Sequence, residues 1–138
     1  IMRKTHTVIS DIATLHYIDR TACWQPPRLD LYSPYTKFSI IVDYLITKEF
    51  ACITDAYAYP RPHLTGVQET TELRTPQATI LVHRSIAESP LYPILYLRST
   101  ILMNFLSADC IGIAYPALTL KKCGILNIHW DDPKHDEH

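Results

Sequence analysis

The sequence predicts a single α/β domain of the α+β kind, with a mixed sheet of about four to five strands flanked by helices. Three observations predict this class. Residues 33–50 have the apolar spacing of an amphipathic helix, and residues 67–84 read as two strands joined by a proline turn. The composition, 47% hydrophobic and 20% charged over 138 residues, is typical of a globular domain with one core.

The N-terminal residues carry the weakest pattern. Val8, Ile12 and Leu15 share one helical face and predict a helix, and the three prolines of "TACWQPPRLDLYSPY" predict an irregular connection after it. We therefore expect residues 1–128 to form the domain, with residues 1–32 as a peripheral segment and connection. The chain begins with Ile1 rather than methionine, which is typical of a piece of a longer protein.

The clearest helix is "SPYTKFSIIVDYLITKEF". Its apolar residues follow the i, i+3, i+4, i+7, i+8 spacing of a buried helical face, at Phe38, Ile41, Val42, Leu45 and Ile46. Ser33 is suited to cap its N-terminus, with Pro34 at the first helical position. The next segment, "ACITDAYAY", predicts a strand that ends at the prolines of "YPRPH".

Two further strands follow, "VQETTELR" and "ATILVHR", with a turn at Thr75 and Pro76 between them. The first is polar enough to face solvent on one side, whereas the second is a buried run. The segment from Leu91 has helical spacing through Phe105 and Leu106, but Arg98 interrupts the apolar face. We therefore expect a helix that ends near Arg98, a short turn capped by Ser99 or Thr100, and a buried strand at "CIGIAY".

The uninterrupted apolar blocks within residues 95–122 are too short to cross a membrane. Arg98 and Asp109 divide this segment into blocks of about ten residues, and a spanning helix needs about 20. The type of the last element, around residues 117–126, stays open. Residues 129–138 are predicted to be a polar, solvated tail, although their histidines and carboxylates are also suitable ligands for a transition metal.

Composition excludes several classes of function. A formal net charge of −1 provides no positive field for nucleic acid or an anionic membrane. The four cysteines are far apart, and the chain opens without a secretory signal pattern, so we expect reduced core thiols and an intracellular location, cytoplasmic or nuclear. With three glycines in all, the chain has no Walker loop, no G-x-G-x-x-G turn and no nucleophile elbow.

The candidate ligand-binding residues lie at predicted strand ends and at the predicted helix junction. If the strands before Arg61 and at His83 end at one edge of the sheet, cationic side chains there form a rim suited to phosphate or carboxylate. The predicted set is Arg61, His63, His83, Arg84, Arg98, Ser99 and Thr100. The alternative is that these are ordinary surface charges, and that Arg98 extends from a partly exposed helix into water.

Three segments resemble a family of uncharacterised proteins from mushroom-forming fungi that is similar to the nucleotidyltransferase fold. They are "ATILVHRS", "SPLYPILYLRSTILMNF" and "IAYPALTLKKCGILN", and the most specific motifs are R-S-T-x-x-M-N from Arg98 to Asn104 and Y-P-x-L-T-L from Tyr115. The resemblance covers about residues 37–127. It implies a mixed sheet flanked by helices, and it raises transfer of a nucleotide from a triphosphate as an activity.

The residues needed for nucleotide transfer are incomplete. That chemistry needs a Gly-Ser turn for the phosphates and two carboxylates at alternate positions of one strand for Mg²⁺, and the chain has no Gly-Ser, D-x-D or D-x-E. The first hypothesis is therefore a non-catalytic binding or interaction module, without a cofactor, for a phosphate-bearing small molecule or a protein partner. The alternative is an Mg²⁺-dependent nucleotidyltransferase whose carboxylates come from Asp55, Asp109 or a segment missing from this sequence.

Overall fold

The sheet is the main feature of the computed structural model, which describes residues 1–10, 14, 28–97, 99, 102–119 and 124–125. It has seven strands in the order β3-β4-β5-β2-β1-β6-β7. In chain order they are β1 (Val8–Ser10), β2 (Arg28–Ser33), β3 (Cys52–Ala58), β4 (Val67–Arg74), β5 (Thr79–Ser85), β6 (Asn104–Leu106) and β7 (Ile111–Ile113). The expected four to five strands were too few.

The sheet is mixed, and this confirms the predicted α/β class. β2 and β5 pair in parallel, and every other neighbouring pair is antiparallel. Four α-helices and two 3-10 helices, Tyr35–Lys37 and Tyr92–Tyr96, are found in the described ranges. The α-helices are α1 (Met2–Thr5), α2 (Phe38–Lys48), α3 (Pro62–Thr65) and α4 (Pro116–Thr119).

The middle of the chain folds as the sequence predicts. β3 follows the helix directly, and β4 and β5 form the predicted hairpin. Thr75 closes its turn by accepting the amide of Ala78 and by a backbone bond to the same residue. β5 is the buried run that its apolar residues predict.

Helix α2 begins later than predicted. Ser33 does not cap it, because Ser33 is the last residue of β2 and pairs with Arg84 of β5. Pro34 continues the extended backbone, and the chain enters α2 through the 3-10 turn. Four of the five predicted core positions are buried, but Ile46 is exposed.

The N-terminal predictions were wrong. Val8–Ser10 is a strand rather than part of a helix, and Arg28–Ser33 is a strand near the centre of the sheet rather than a peripheral connection. The two-residue alternation of Leu29 and Leu31 with Asp30 and Tyr32 is the sequence signal for this strand. Ile12 and Leu15 lie outside the described residues.

The segment after residue 90 is only partly helical. Tyr92–Tyr96 forms the first predicted helix as a 3-10 turn, and the Leu102 amide donates to the Ser99 carbonyl in the second predicted turn. Phe105 belongs to β6, so the extension of the helical pattern to this residue was wrong. The predicted strand at "CIGIAY" is confirmed as β7, but the expectation that it is buried was wrong, because Ile111 is exposed and the other two residues are half-buried. Pro116–Thr119 begins the last element as a helix.

Hydrophobic side chains cover both faces of the sheet. On one face α2 packs over the centre, and its buried cluster contains Leu31, Phe38, Ile41, Val42, Leu45, Ala51, Leu73, Ile80 and Val82. On the other face the chain around the second 3-10 helix packs, and its cluster contains Val8, Tyr32, Val67, Ile94, Leu97, Leu102 and Met103. Neighbouring residues of one strand therefore enter different cores.

Two cysteines differ from expectation. Cys52 and Cys110 are free thiols but exposed, not buried in the core, whereas Cys23 and Cys123 lie outside the described residues.

None of the helices in the described part of the chain has the length and apolar character required to cross a bilayer.

Candidate functional site

His83 and Arg84, two residues of the predicted cationic rim, do not face the same side of the sheet. His83 and Arg84 are consecutive residues of β5, so their side chains leave opposite faces of the sheet. Arg61 precedes α3 and His63 lies in its short turn, and both are exposed. His83 and Arg84 therefore make separate contacts.

Arg84 is held on the α2 face. Its guanidinium donates to Glu69 Oε1 at 2.9 Å, and its Nε donates to the Tyr35 carbonyl at 2.8 Å. The same guanidinium lies 3.8 Å from the centre of the Tyr35 ring. These contacts link the residues before α2 to β5, and they hold the Arg84 guanidinium in place within the protein.

His83 is the centre of a buried polar cluster formed by Asp30, His83 and Thr70. Asp30 is 0% exposed, and its Oδ1 lies 2.8 Å from His83 Nε2. His83 Nδ1 lies 2.8 Å from Thr70 Oγ1, which in turn donates to the Tyr59 hydroxyl at 3.2 Å. The Tyr32 ring stacks on the imidazole with centroids 4.6 Å apart. Three strands, β2, β5 and β4, are thereby joined through side chains.

The charges around Asp30 favour its ionised form. Burial is the largest single influence and acts to raise the pKa of the Asp30 carboxyl, but the hydrogen bonds and charges of His83 and Arg28 together outweigh it. Arg28 adds a bond from its Nε to Asp30 Oδ2 at 3.1 Å, so the pKa lies below its ordinary value. The carboxylate therefore has a partner on each oxygen, as a buried charge requires.

The buried polar cluster has the residue types of a nucleophile, a base and an orienting acid, but a substrate cannot reach them. A nucleophilic hydroxyl must reach a substrate, whereas Thr70 is 0% exposed. Both protonation states of His83 leave the three residues bonded, because the Thr70 hydroxyl can donate either to Tyr59 or to Nδ1. The arrangement is suited to holding the sheet together.

The two carboxylates predicted for catalysis are far apart. Asp55 is exposed on β3 at one end of the sheet, and Asp109 is exposed in the loop before β7 at the other end. Six strand spacings separate these edges, roughly 29 Å. Asp55 and Asp109 therefore cannot share a metal ion, and within the described ranges no three His, Cys, Asp or Glu side chains converge as metal ligands.

The predicted residues at the helix junction are only partly described. Ser99 is buried, so it does not face an open cleft. Arg98 and Thr100 lie outside the described residues, as does the tail of residues 129–138.

A pocket of about 410 Å³ lies at the β7 end of the sheet, and we call it the end pocket. Its apolar wall is formed by Met2, Val8, Leu91 and Phe105. Its polar side is formed by Arg3, His6, Asp109 and Cys110. The volume is within the range of small-molecule sites, which combine apolar walls with a few polar groups.

The polar side of the end pocket is held by one long-range ion pair and by hydrogen bonds within its turns. Arg3 Nη2 donates to Asp109 Oδ1 at 2.6 Å, and the two side chains are 74% and 69% exposed. Ser107 Oγ accepts the amides of Asp109 and Cys110, which fixes the β6–β7 turn. His6 ends α1 in the left-handed conformation, with its amide bonded to the Met2 carbonyl. A cation and an anion thus stand at the mouth of an apolar cavity.

The sequence did not reveal the end pocket. Its residues come from three separate places, residues 2–8, 89–91 and 105–110, and none of them forms a motif. They meet because β6 pairs with β1, a contact between residues almost 100 positions apart in the chain.

No family model, no curated protein and no solved structure matches this chain.

Proposed function

We propose that the chain is a non-catalytic binding module whose end pocket holds a small amphipathic molecule with a phosphate or carboxylate group. The observation that carries this proposal is the exposed Arg3 guanidinium at the mouth of the apolar cavity. A guanidinium binds such anions through two parallel hydrogen bonds, and the apolar wall takes up the hydrocarbon part of the ligand.

The Arg3–Asp109 pair supports exchange with a ligand. A solvent-exposed ion pair contributes only about 0–1 kcal/mol, so little is lost when Arg3 leaves Asp109 for an incoming anion. A half-buried guanidinium with several partners, like that of Arg84, would lose more. The release of Arg3 from Asp109 therefore costs little free energy when a ligand binds.

The fold in this proposal is a degenerate relative of the nucleotidyltransferases, as the sequence resemblance implies. The alternative function, Mg²⁺-dependent nucleotide transfer, needs a second carboxylate beside Asp55 from a residue other than Asp109. Thermal unfolding with ATP, with and without Mg²⁺, separates the two. A rise in Tm that requires Mg²⁺ would favour the enzyme, and a rise without the metal favours a binding site.

The direct test is calorimetric titration with hexyl phosphate as the probe, with 1-hexanol and inorganic phosphate as controls. We expect hexyl phosphate to bind more tightly than either control, because it alone uses both sides of the end pocket. Arg3→Gln should weaken binding about 10- to 100-fold, the value of a charge-assisted hydrogen bond.

Asp109→Asn is the matched variant, and its expected effect on hexyl phosphate binding is opposite to that of Arg3→Gln. It removes the carboxylate that competes for Arg3, so it should strengthen hexyl phosphate binding. Lys48→Gln, at the C-terminal end of α2, removes a cation far from the end pocket and should change nothing. Binding that is insensitive to Arg3→Gln, or no binding at millimolar hexyl phosphate, would refute the proposal.

A further inference from the structure

β3 is an edge strand that solvent reaches on both faces. It is the terminal strand in the sheet order, and within the described part of the chain it pairs only with β4. Six of its seven residues are exposed, and Tyr57 is the exception. A long exposed edge offers backbone groups to another strand, and proteins use such edges for binding or protect them.

The outward backbone groups of β3 can be identified from its pairing. The Tyr59 amide donates to the Gln68 carbonyl at 3.1 Å, so it points toward β4. Successive amides of an antiparallel strand alternate in direction, and the amides of Ala58 and Ala56 therefore point away from β4. The Ala56 amide is bonded to Asp55 Oδ1 at 2.8 Å. The Asp55 carboxylate thus occupies one of the outward donors.

The two faces beside this edge differ in chemistry. Ile53, on the α2 face, is 53% exposed, and Phe50, two residues before the strand begins, is 81% exposed. On the other face, Asp55 lies opposite Glu72 of β4, so two carboxyl groups are neighbours. A bulge between Ile53 and Asp55 places these residues on opposite faces. An added strand would need apolar residues on one face and a cation on the other.

We propose that β3 is a strand-addition site for an extended segment of a partner protein, with a lysine or arginine opposite Asp55 and apolar residues beside Ile53. The partner's cation draws the Asp55 carboxylate away from the Ala56 amide, and that amide then donates to a carbonyl of the added strand. Asp55 thereby selects the partner, because a strand without the cation finds this donor occupied.

A second copy of this chain fits the edge poorly. When two β3 strands pair antiparallel about their middle residue, Asp55 of one copy lies opposite Asp55 of the other, and like charges directly opposite are unfavourable. A basic segment removes this repulsion and also balances Glu72. The charges of the edge therefore favour a different protein as the partner.

The test uses the full chain and a fluorescent peptide, Thr-Thr-Ile-Lys-Ile-Thr-Thr, with a control in which glutamate replaces the lysine. We expect the lysine peptide to bind about fivefold to tenfold more tightly, the scale of a cross-strand charge reversal. Hydrogen exchange should slow at the amides of Ala56 and Ala58 when the lysine peptide is bound. Anisotropy and exchange-detected NMR provide the two readouts.

Asp55→Lys tests whether the charge at residue 55, rather than the shape of the β3 edge, decides which peptide binds. Asp55 is exposed, so the fold should persist, and the variant should prefer the glutamate peptide. Equal binding of both peptides, or unchanged exchange at Ala56 and Ala58, would overturn the proposal. Sedimentation of the chain as a dimer with these two amides protected would also overturn it, since a second copy would then be the occupant.

Discussion

Two carboxylate contacts of nearly equal length have different roles in this protein. Asp30 Oδ1 and His83 Nε2 are 2.8 Å apart in the centre of the sheet, and Arg3 Nη2 and Asp109 Oδ1 are 2.6 Å apart at its end. The first pair is buried and bonded to further groups, whereas the second is mostly in water. Distance alone therefore does not predict the energy of a pair, because solvation decides it.

The difference explains where each pair is useful. Breaking a buried pair leaves an uncompensated charge, so Asp30 and His83 cannot readily exchange partners with a ligand. The exposed pair can exchange, and it stands beside a cavity. We infer that the polar groups at the centre maintain the fold and those at the end pocket are available for binding.

The largest expected effect is that of Asp30→Ala. It leaves His83 and Arg28 without their shared carboxylate and should lower the free energy of unfolding by about 3–5 kcal/mol. Urea denaturation followed by circular dichroism measures this change. Asp109→Ala is the matched control at the exposed pair, and equal effects of the two variants would contradict the comparison.

Acid should remove part of the same contribution. Because the pKa of Asp30 in the folded protein is below its ordinary value of 3.8, its stabilisation is fully present above pH 3.8 and is lost as the pH falls through the folded value. The unfolding free energy of the native protein should therefore fall more steeply below pH 3.8 than that of Asp30→Asn. Parallel curves from pH 5 to pH 2 would show that Asp30 is not responsible.

Thr70→Val should have an intermediate effect. Valine matches threonine in shape but removes the hydroxyl that bonds His83 Nδ1 and Tyr59, at a cost of about 1–3 kcal/mol. Thr70→Ser keeps the hydroxyl and is the control, although it also removes a buried methyl group. If urea unfolding shows Thr70→Val to be at least as stable as Thr70→Ser, the hydroxyl is not part of the stabilising cluster.

The smallest expected effect lies at the exposed pair. A double-mutant cycle of Arg3→Ala and Asp109→Ala should give a coupling energy of about 0–1 kcal/mol, and added salt should reduce it. The same urea method applies. A coupling above 2 kcal/mol would mean that this pair is held too firmly to release Arg3 to a ligand.

The sequence predicted the elements whose signals are local. The face of α2 from Phe38 to Leu45, the strand β3 and the β4–β5 hairpin follow from spacing and from one turn. β2 was missed because the neighbouring prolines suggested a loop, although it pairs along its full length with β5. Its pairing partner lies about 50 residues away, and spacing within a segment does not report such contacts.

The candidate site was harder to predict than the fold. His83 was recognised as a polar residue in a buried strand, but its partner Asp30 lay in the segment expected to be a loop. The alternation of side chains along β5 separates His83 from Arg84, which a strand assignment alone could have indicated. The end pocket depends on the β1–β6 pairing, for which the sequence offers no motif.

The most direct test of the account is to map hexyl phosphate binding on the ¹⁵N-labelled protein by NMR. We predict that the amide signals of Arg3, His6 and Cys110 shift on titration, while those of His83 and Thr70 do not move. Shifts centred on His83 and Thr70 would place the ligand at the buried polar cluster. They would contradict the conclusion that this cluster stabilises the fold while the end pocket binds the ligand.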